Sequence, residues 1–176
     1  MYRSVFESSW PNRFLHIHLN FEELRYLGVM QRLAIGYGVT SLVAITVKHK
    51  YFPAIILVTL AVYFLLLAMG DGFNLSATNI VARFDVWALG TSHMYHDGGM
   101  AFDPEGLLST LPAVCHVMVG FYCGKLLFSA KDNDEKIQRL FLVGTILTFA
   151  GFLLSYGCPI NKKVWSPTFV ITTCGL

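Results

Sequence analysis

Tyr51–Met69, YFPAIILVTLAVYFLLLAM, runs from end to end without a charged side chain. A helix rises about 1.5 Å per residue and the hydrocarbon core of a bilayer is about 30 Å thick, so about 20 such residues cross it. The stretch meets that length, and its apolar residues are continuous instead of being confined to one helical stripe. A helix apolar on every side is buried in a large core or in lipid. Three further blocks have the same character: 27–47, 106–128 and 140–156, the last slightly short. The chain as a whole is 55% hydrophobic and only 14% charged, with mean hydropathy +0.55, which is a membrane composition. The reading is an all-α polytopic bundle of four spans. A fifth apolar run at 165–176 stops while still hydrophobic. We expect one membrane domain over 1–176, part of a longer protein, because neither terminus shows a natural boundary.

The formal charge of +2 is too small to suggest a nucleic-acid partner, and no dense Lys/Arg cluster is present. Cys115 and Cys123 lie too far apart along one helix to bridge, so the four cysteines read as packing residues. Phosphate-binding glycine loops, nucleophile elbows, CxxC and HExxH are all missing from the sequence.

Helix alternation sorts the connecting segments into two sides. One side carries Lys48, Lys50 and KDNDEKIQR (131–139), with Lys125 close by. The other carries the leading segment, the long loop 70–105 and the link 157–163. The short links favour the first side as cytoplasmic, which makes the long loop extracytoplasmic. Arg3, Arg13, Arg25 and Arg32 in the leading segment offset that excess if they are counted. Inside the loop, Ile80, Val81, Phe84, Trp87 and Ala88 recur at helical spacing, with Arg83 and Asp85 off the stripe and Ser76 as a candidate cap. This predicts a short interfacial helix with Trp87 at headgroup level, or a lid folding inward. Ala34/Gly38, Gly120/Gly124 and Gly144/Gly151 are candidate close-packing pairs.

The chemistry-bearing residues gather on the loop side. FDPEGLLSTLPA (102–113) places Asp103 and Glu105 at the threshold of an apolar helix, where an unpartnered carboxylate is costly. Arg32, with Gln31 beside it, enters the first block at the same face. An Arg32 ion pair with Asp103 or Glu105 is therefore expected, either as a structural tie or as the wall of a polar site. His93 and His96 form a His-x-x-His spacing too weak to predict zinc, and His16 and His18 carry less signal. His116, ten residues beyond Gly106, should lie about 15 Å deep. An ionisable group there is a functional candidate, set against the commoner outcome of a neutral imidazole bonded across the bundle.

Four strings carry a resemblance: LRYLGVMQRLAIGYG (24–38), RFDVWALGTSHMYHDGG (83–99), FDPEGLLSTLPA and CPINKKVWSPTFVITTCGL (158–176). Together they resemble the family of heparan-alpha-glucosaminide N-acetyltransferase and its bacterial relatives. These are multi-pass proteins also described as domain of unknown function 5009 or as N-acetylglucosamine-related transporters. The resemblance implies transfer of an acetyl group from acetyl-coenzyme A, the donor substrate, to the amine of a terminal glucosamine across the membrane. It requires no metal. The family's acetyl-carrying histidine belongs to an earlier part of the fold, so no catalytic residue is assigned here. The matching positions, expected to shape the substrate or donor cavity, are Gln31, Arg32, His93, Asp103, Glu105, Asn161, Lys162, Trp165 and Ser166. The expected partners are the lipid bilayer and an amino sugar, with a homodimer allowed. The expected location is a bacterial inner membrane. An amino-sugar permease and an inactive fragment remain open alternatives.

Overall fold

The computed structural model describes residues 25–74, 76, 78–97, 100–130 and 132–176. His16, His18, Arg3, Arg13 and Lys131 lie outside the described residues. Six α-helices follow in order: α1 Val29–Thr46, α2 Phe52–Met69, α3 Ile80–Leu89, α4 Thr110–Ser129, α5 Asn133–Leu154 and α6 Pro167–Gly175. A short antiparallel pairing, β1 His96–Asp97 with β2 Met100–Ala101, closes the tip of the long loop. Four of the helices, α1, α2 (with the turn that precedes it), α4 and α5, are long and apolar enough to cross a membrane. The architecture is the all-helical bundle that the apolar blocks predict.

Local chemistry sets where these helices start. Pro53 occupies the first turn of α2, where a missing N–H costs no bond. The Asp132 carboxylate accepts from Glu135 N at 2.7 Å and opens α5. Asp134 and Glu135 in that first turn complement the helix dipole. Ser166 Oγ accepts from Phe169 N at 3.2 Å and opens α6 at Pro167. The fourth span is therefore not short: it begins at Asn133, inside a segment whose charges read as a loop, and carries two polar turns before its apolar part. In contrast, α4 begins at Thr110 and not at Gly106, because residues 106–109 form turns held by Asp103 and Asp85. His116 consequently lies less than two turns into α4, about 9 Å along it and not 15 Å.

Helix α4 is the hub, touching α1, α2, α5 and α6. A buried cluster of Tyr63, Leu67, Val81, Phe102, Leu108 and Val164 binds the loop to the bundle end, where Tyr63 Oη donates to Val164 O at 2.6 Å. Leu60, Cys115 and Val170 form a second cluster between α2, α4 and α6. Of the small-residue pairs, Gly144 and Gly151 act as expected: a Cβ at Gly144 would meet Gly175 O at 2.8 Å and one at Gly151 would meet Thr172 Cα at 3.0 Å, so α5 and α6 approach backbone to backbone. Gly38, Gly120 and Gly124 face open space instead, and α1 meets α4 through Gly36 against Val117.

Helix α3 departs from its predicted stripe. Val81 and Asp85, one turn apart, are fully buried, while Phe84 is partly exposed and Trp87 is 81% exposed. Asp85, expected off the stripe, turns inward because it has backbone donors to meet there. The cap is Asn79 and not Ser76: Asn79 Oδ1 accepts from Val81 N at 2.8 Å. Ser76 instead joins Asn74 and Thr78 around Asp71, and these three side-chain hydrogen bonds lower that carboxyl's pKa.

Candidate functional site

The loop-side end of the bundle is organised by two buried carboxylates. Asp103, with its side chain inaccessible, accepts from Arg25 Nε at 3.0 Å, Arg25 Nη2 at 2.5 Å, Tyr95 N at 3.2 Å and Glu105 N at 2.9 Å. Glu105 also binds Arg25 Nη2. The guanidinium pKa of Arg25 is pushed further up, chiefly by the Asp103 hydrogen bonds, and its Cζ lies 5.5 Å from the centre of the Tyr95 ring. Tyr26 stacks on His93 at 4.0 Å, and its N donates to His93 O at 3.4 Å. Asp103 is thus a fully satisfied tie between the segment before α1 and the loop.

Asp85 has a different situation. Its Oδ1 accepts from Leu108 N at 3.1 Å, whereas Oδ2 is buried with no hydrogen-bond partner among the described residues. Burial raises its carboxyl to about 6, against the opposing pull of the Leu108 and Leu107 backbone bonds. The absent side chain of Gly106 makes room for it, since a Cβ there would collide with the carboxylate.

The expected ion pair between Arg32 and the carboxylates does not form. Arg25, seven positions earlier and free of helical constraint, reaches them instead. Arg32 is only 6% exposed, and its Nη2 donates to Pro104 O at 2.8 Å and to Ser109 Oγ. Its guanidinium carbon stands 4.7 Å from the centre of the Trp165 ring, a cation–π contact. Arg32 Nε and Nη1 have no hydrogen-bond partner among the described residues.

Trp165 owes its position to the link before α6. Asn161 Oδ1 accepts from Lys163 N at 2.9 Å, Ser166 Oγ accepts from Asn161 N at 3.0 Å, and Trp165 N donates to Lys162 O at 3.2 Å. This tight turn leaves Trp165 at φ +52°, a region a bulky residue seldom occupies. Its ring then lies between Arg32 and His116, whose centroid is 6.1 Å away.

These side chains border a cavity of about 1000 Å³ between α1, α4 and the start of α6. Arg32, Glu105, His116 and Trp165 contribute its polar groups together with Thr40, while Leu33, Val117 and Phe121 are among its apolar walls. Of the positions singled out in the sequence, Arg32, Glu105 and Trp165 line this cavity. Asn161, Ser166 and Asp103 brace it from behind. Gln31 is exposed on α1, Lys162 is exposed on the link, and His93 stacks on Tyr26; none of these three lines the cavity. Sequence reasoning missed Thr40, and it missed Asp85 although the Val81/Asp85 spacing was there to read. Among the described residues no group of three or more His, Cys, Asp or Glu side chains is placed to hold a metal.

No family model matches the chain. Two curated relatives do: heparan-alpha-glucosaminide N-acetyltransferase of Mus musculus, 31% identical over 104 residues, and the Homo sapiens protein of the same name, 29% identical over 104 residues. Each match covers 48% of this chain and 15% of the relative. The chain therefore corresponds to a small part of those proteins.

Proposed function

We propose that this chain forms part of a membrane enzyme that transfers an acetyl group from acetyl-coenzyme A to the amine of a terminal glucosamine on the far side of the membrane. The observation that carries the reading is the similarity to two N-acetyltransferases, found in a chain whose spans border a half-open cavity with charged and hydrogen-bonding groups at one end. Ionisable side chains at membrane depth mark functional sites by default. Acyl transfer to an amine needs a proton acceptor and donors for the developing oxyanion. Within the cavity, Glu105 and His116 are able to accept a proton, and Arg32 and Trp165 present N–H groups.

The same geometry supports the sidedness read from the charges. Arg25 and Arg32 weaken the charge argument for an exterior loop only if they act as free cations. Arg25 is neutralised by Asp103 and Glu105, and Arg32 is buried. The opposite side carries Lys48 and Lys50 on its link, Lys125 near the end of α4 and Lys136 and Arg139 at the start of α5, against Arg83, Lys162 and Lys163 on the loop side, which supports a long loop and polar cavity end that face away from the cytoplasm. In a bacterial inner membrane that is the periplasmic side.

The test uses the full-length protein that carries this chain, purified in detergent and incubated with labelled acetyl-coenzyme A and a panel of amino sugars. Label should appear on the sugar amine. Absence of transfer to every acceptor overturns the reading, and sugar uptake into proteoliposomes without an acetyl donor would replace it with transport.

A further inference from the structure

Four residues lining the cavity carry polar atoms that are buried and have no hydrogen-bond partner among the described residues: Arg32 Nε and Nη1, Thr40 Oγ1, His116 Nδ1 and Trp165 Nε1. Buried polar atoms are nearly always satisfied, so four such residues around one space call for an explanation. The pattern is directional. Arg32 and Trp165 can only donate. Thr173 Oγ1 gives its hydrogen to Phe169 O at 2.6 Å and stands 3.4 Å from His116 Nε2. Thr173 can then only accept from His116, which assigns the ring proton to Nε2 and leaves Nδ1 a bare lone pair.

The charged side chains that border the cavity are Arg32 and Glu105, and the Glu105 carboxylate is held by Arg25. Arg32 is more than nine-tenths buried, and its hydrogen-bond partners are the neutral oxygens of Pro104 and Ser109. The two carboxylates closest in sequence to those partners, Asp103 and Glu105, are engaged by Arg25. A buried guanidinium is ordinarily paired or bound to an anion. From the Arg32 end, the cavity continues along Leu33, Val117 and Phe121, past Gly120, whose Cβ position meets nothing within 4 Å.

We propose that this cavity is a binding site for an oxyanion, of the phosphate-monoester class, carried on an apolar or uncharged chain. Arg32 is its charge partner, and Trp165 Nε1 donates to the same group. The chain lies along α1 and α4, and a ligand hydroxyl or amine donates to His116 Nδ1. This goes beyond the acetyl-transfer reading and does not depend on it, because binding is measured with no acetyl donor present.

The experiment is a titration of the full chain in neutral-detergent micelles, followed by tryptophan fluorescence and by thermal melting. The probes are dodecyl phosphate, propyl phosphate and dodecanol. The expected result is saturable binding of one or both phosphates, with dodecanol at least about tenfold weaker, the scale of a charge-assisted bond. Preference for dodecyl phosphate identifies a lipid-like ligand, and equal binding identifies a soluble ester; either supports the site. Arg32→Gln should weaken phosphate binding by about tenfold or more. Because that change also removes the bonds to Pro104 and Ser109, Gly120→Leu provides the second arm: it fills the open part of the cavity without touching Arg32. It should abolish dodecyl phosphate binding while leaving the melting curve of the unliganded protein in place. Dodecanol binding as tightly as the phosphates, or phosphate affinity unchanged in both variants, overturns the proposal.

Discussion

Arg25 and Arg32 stand seven positions apart at the same end of the bundle and meet opposite circumstances. Arg25 is partly exposed and holds two carboxylates, while Arg32 is buried against two neutral oxygens and the face of Trp165. The region around Arg25 is closed electrostatically: every Asp103 oxygen is occupied, and the loop, the segment before α1 and the turn leading toward α4 are tied to one point. The region around Arg32 is left incomplete, with buried, unpartnered atoms on residues that border a cavity. A structural tie satisfies its own groups, whereas a binding site keeps some of them for a ligand and loses stability by doing so. The carboxylates that dominate the sequence thus belong mainly to the framework, and the unpaired cation marks the site.

The largest effect should come from breaking the closed region. Asp103→Ala strips acceptors from Arg25, Tyr95 N and Glu105 N and leaves a cation without its main partner. We expect a loss of about 3 kcal/mol, at the lower end for broken buried pairs because Arg25 keeps some access to solvent. Melting in detergent micelles would measure it, and a change below about 1 kcal/mol would mean that the tie is not what holds the loop.

Asp85 supplies the next effect, with a definite sign. Its carboxyl is raised to about 6 in the folded protein from an ordinary value near 3.8, so the folded state binds its proton more tightly. The stabilisation is fully present below about pH 4 and is lost as pH rises through about 6, on the order of 2 to 3 kcal/mol in all. Asp85→Asn should remove this pH dependence and raise the melting point at neutral pH. A wild-type melting profile that is flat between pH 4 and 7 would contradict the burial argument.

Arg32→Met should lie much closer to zero. Replacing a buried charge by an apolar chain of similar length is often neutral or stabilising where the carboxylate beside it keeps another partner, as Glu105 keeps Arg25. The expected change is within about 1 kcal/mol, with loss of phosphate binding. Should this variant melt as early as Asp103→Ala, Arg32 is a structural residue like its neighbour and the contrast fails.

The spans were legible because each block is apolar on all sides and long enough, a property that survives any rearrangement of neighbours. The start of α5 was hidden by charge, although Asp132 and Glu135 already had the spacing of a capping box. The site was half legible. Alternation placed Arg25, Arg32, Asp103 and Glu105 at one face, but helix order says nothing about rotation around an axis or about which of two arginines arrives first. Asp85 illustrates the same limit: a stripe drawn from hydrophobicity alone puts a carboxylate outside, and only the backbone donors of Leu107 and Leu108 draw it in. Trp165 could be named from its motif, but its left-handed backbone depends on the Asn161–Ser166 turn, which is a three-dimensional fact.

The smallest expected effect is the sharpest test of the pairing itself. Glu105 bonds to Arg25, and both side chains keep solvent access, so their coupling should be about 0.5 to 1 kcal/mol. Glu105→Gln and Arg25→Gln, separately and together, should therefore show losses that do not add. The parallel cycle of Glu105→Gln with Arg32→Met should show a smaller coupling, because Glu105 acts on Arg32 through space and not through a hydrogen bond. Both cycles are read from melting in micelles at low salt, and raising the ionic strength should shrink the first. Coupling in the Arg32 cycle as strong as in the Arg25 cycle would mean that Glu105 divides its charge between the two arginines. The cavity's cation would then have a partner of its own, and the case for an external oxyanion would weaken with it.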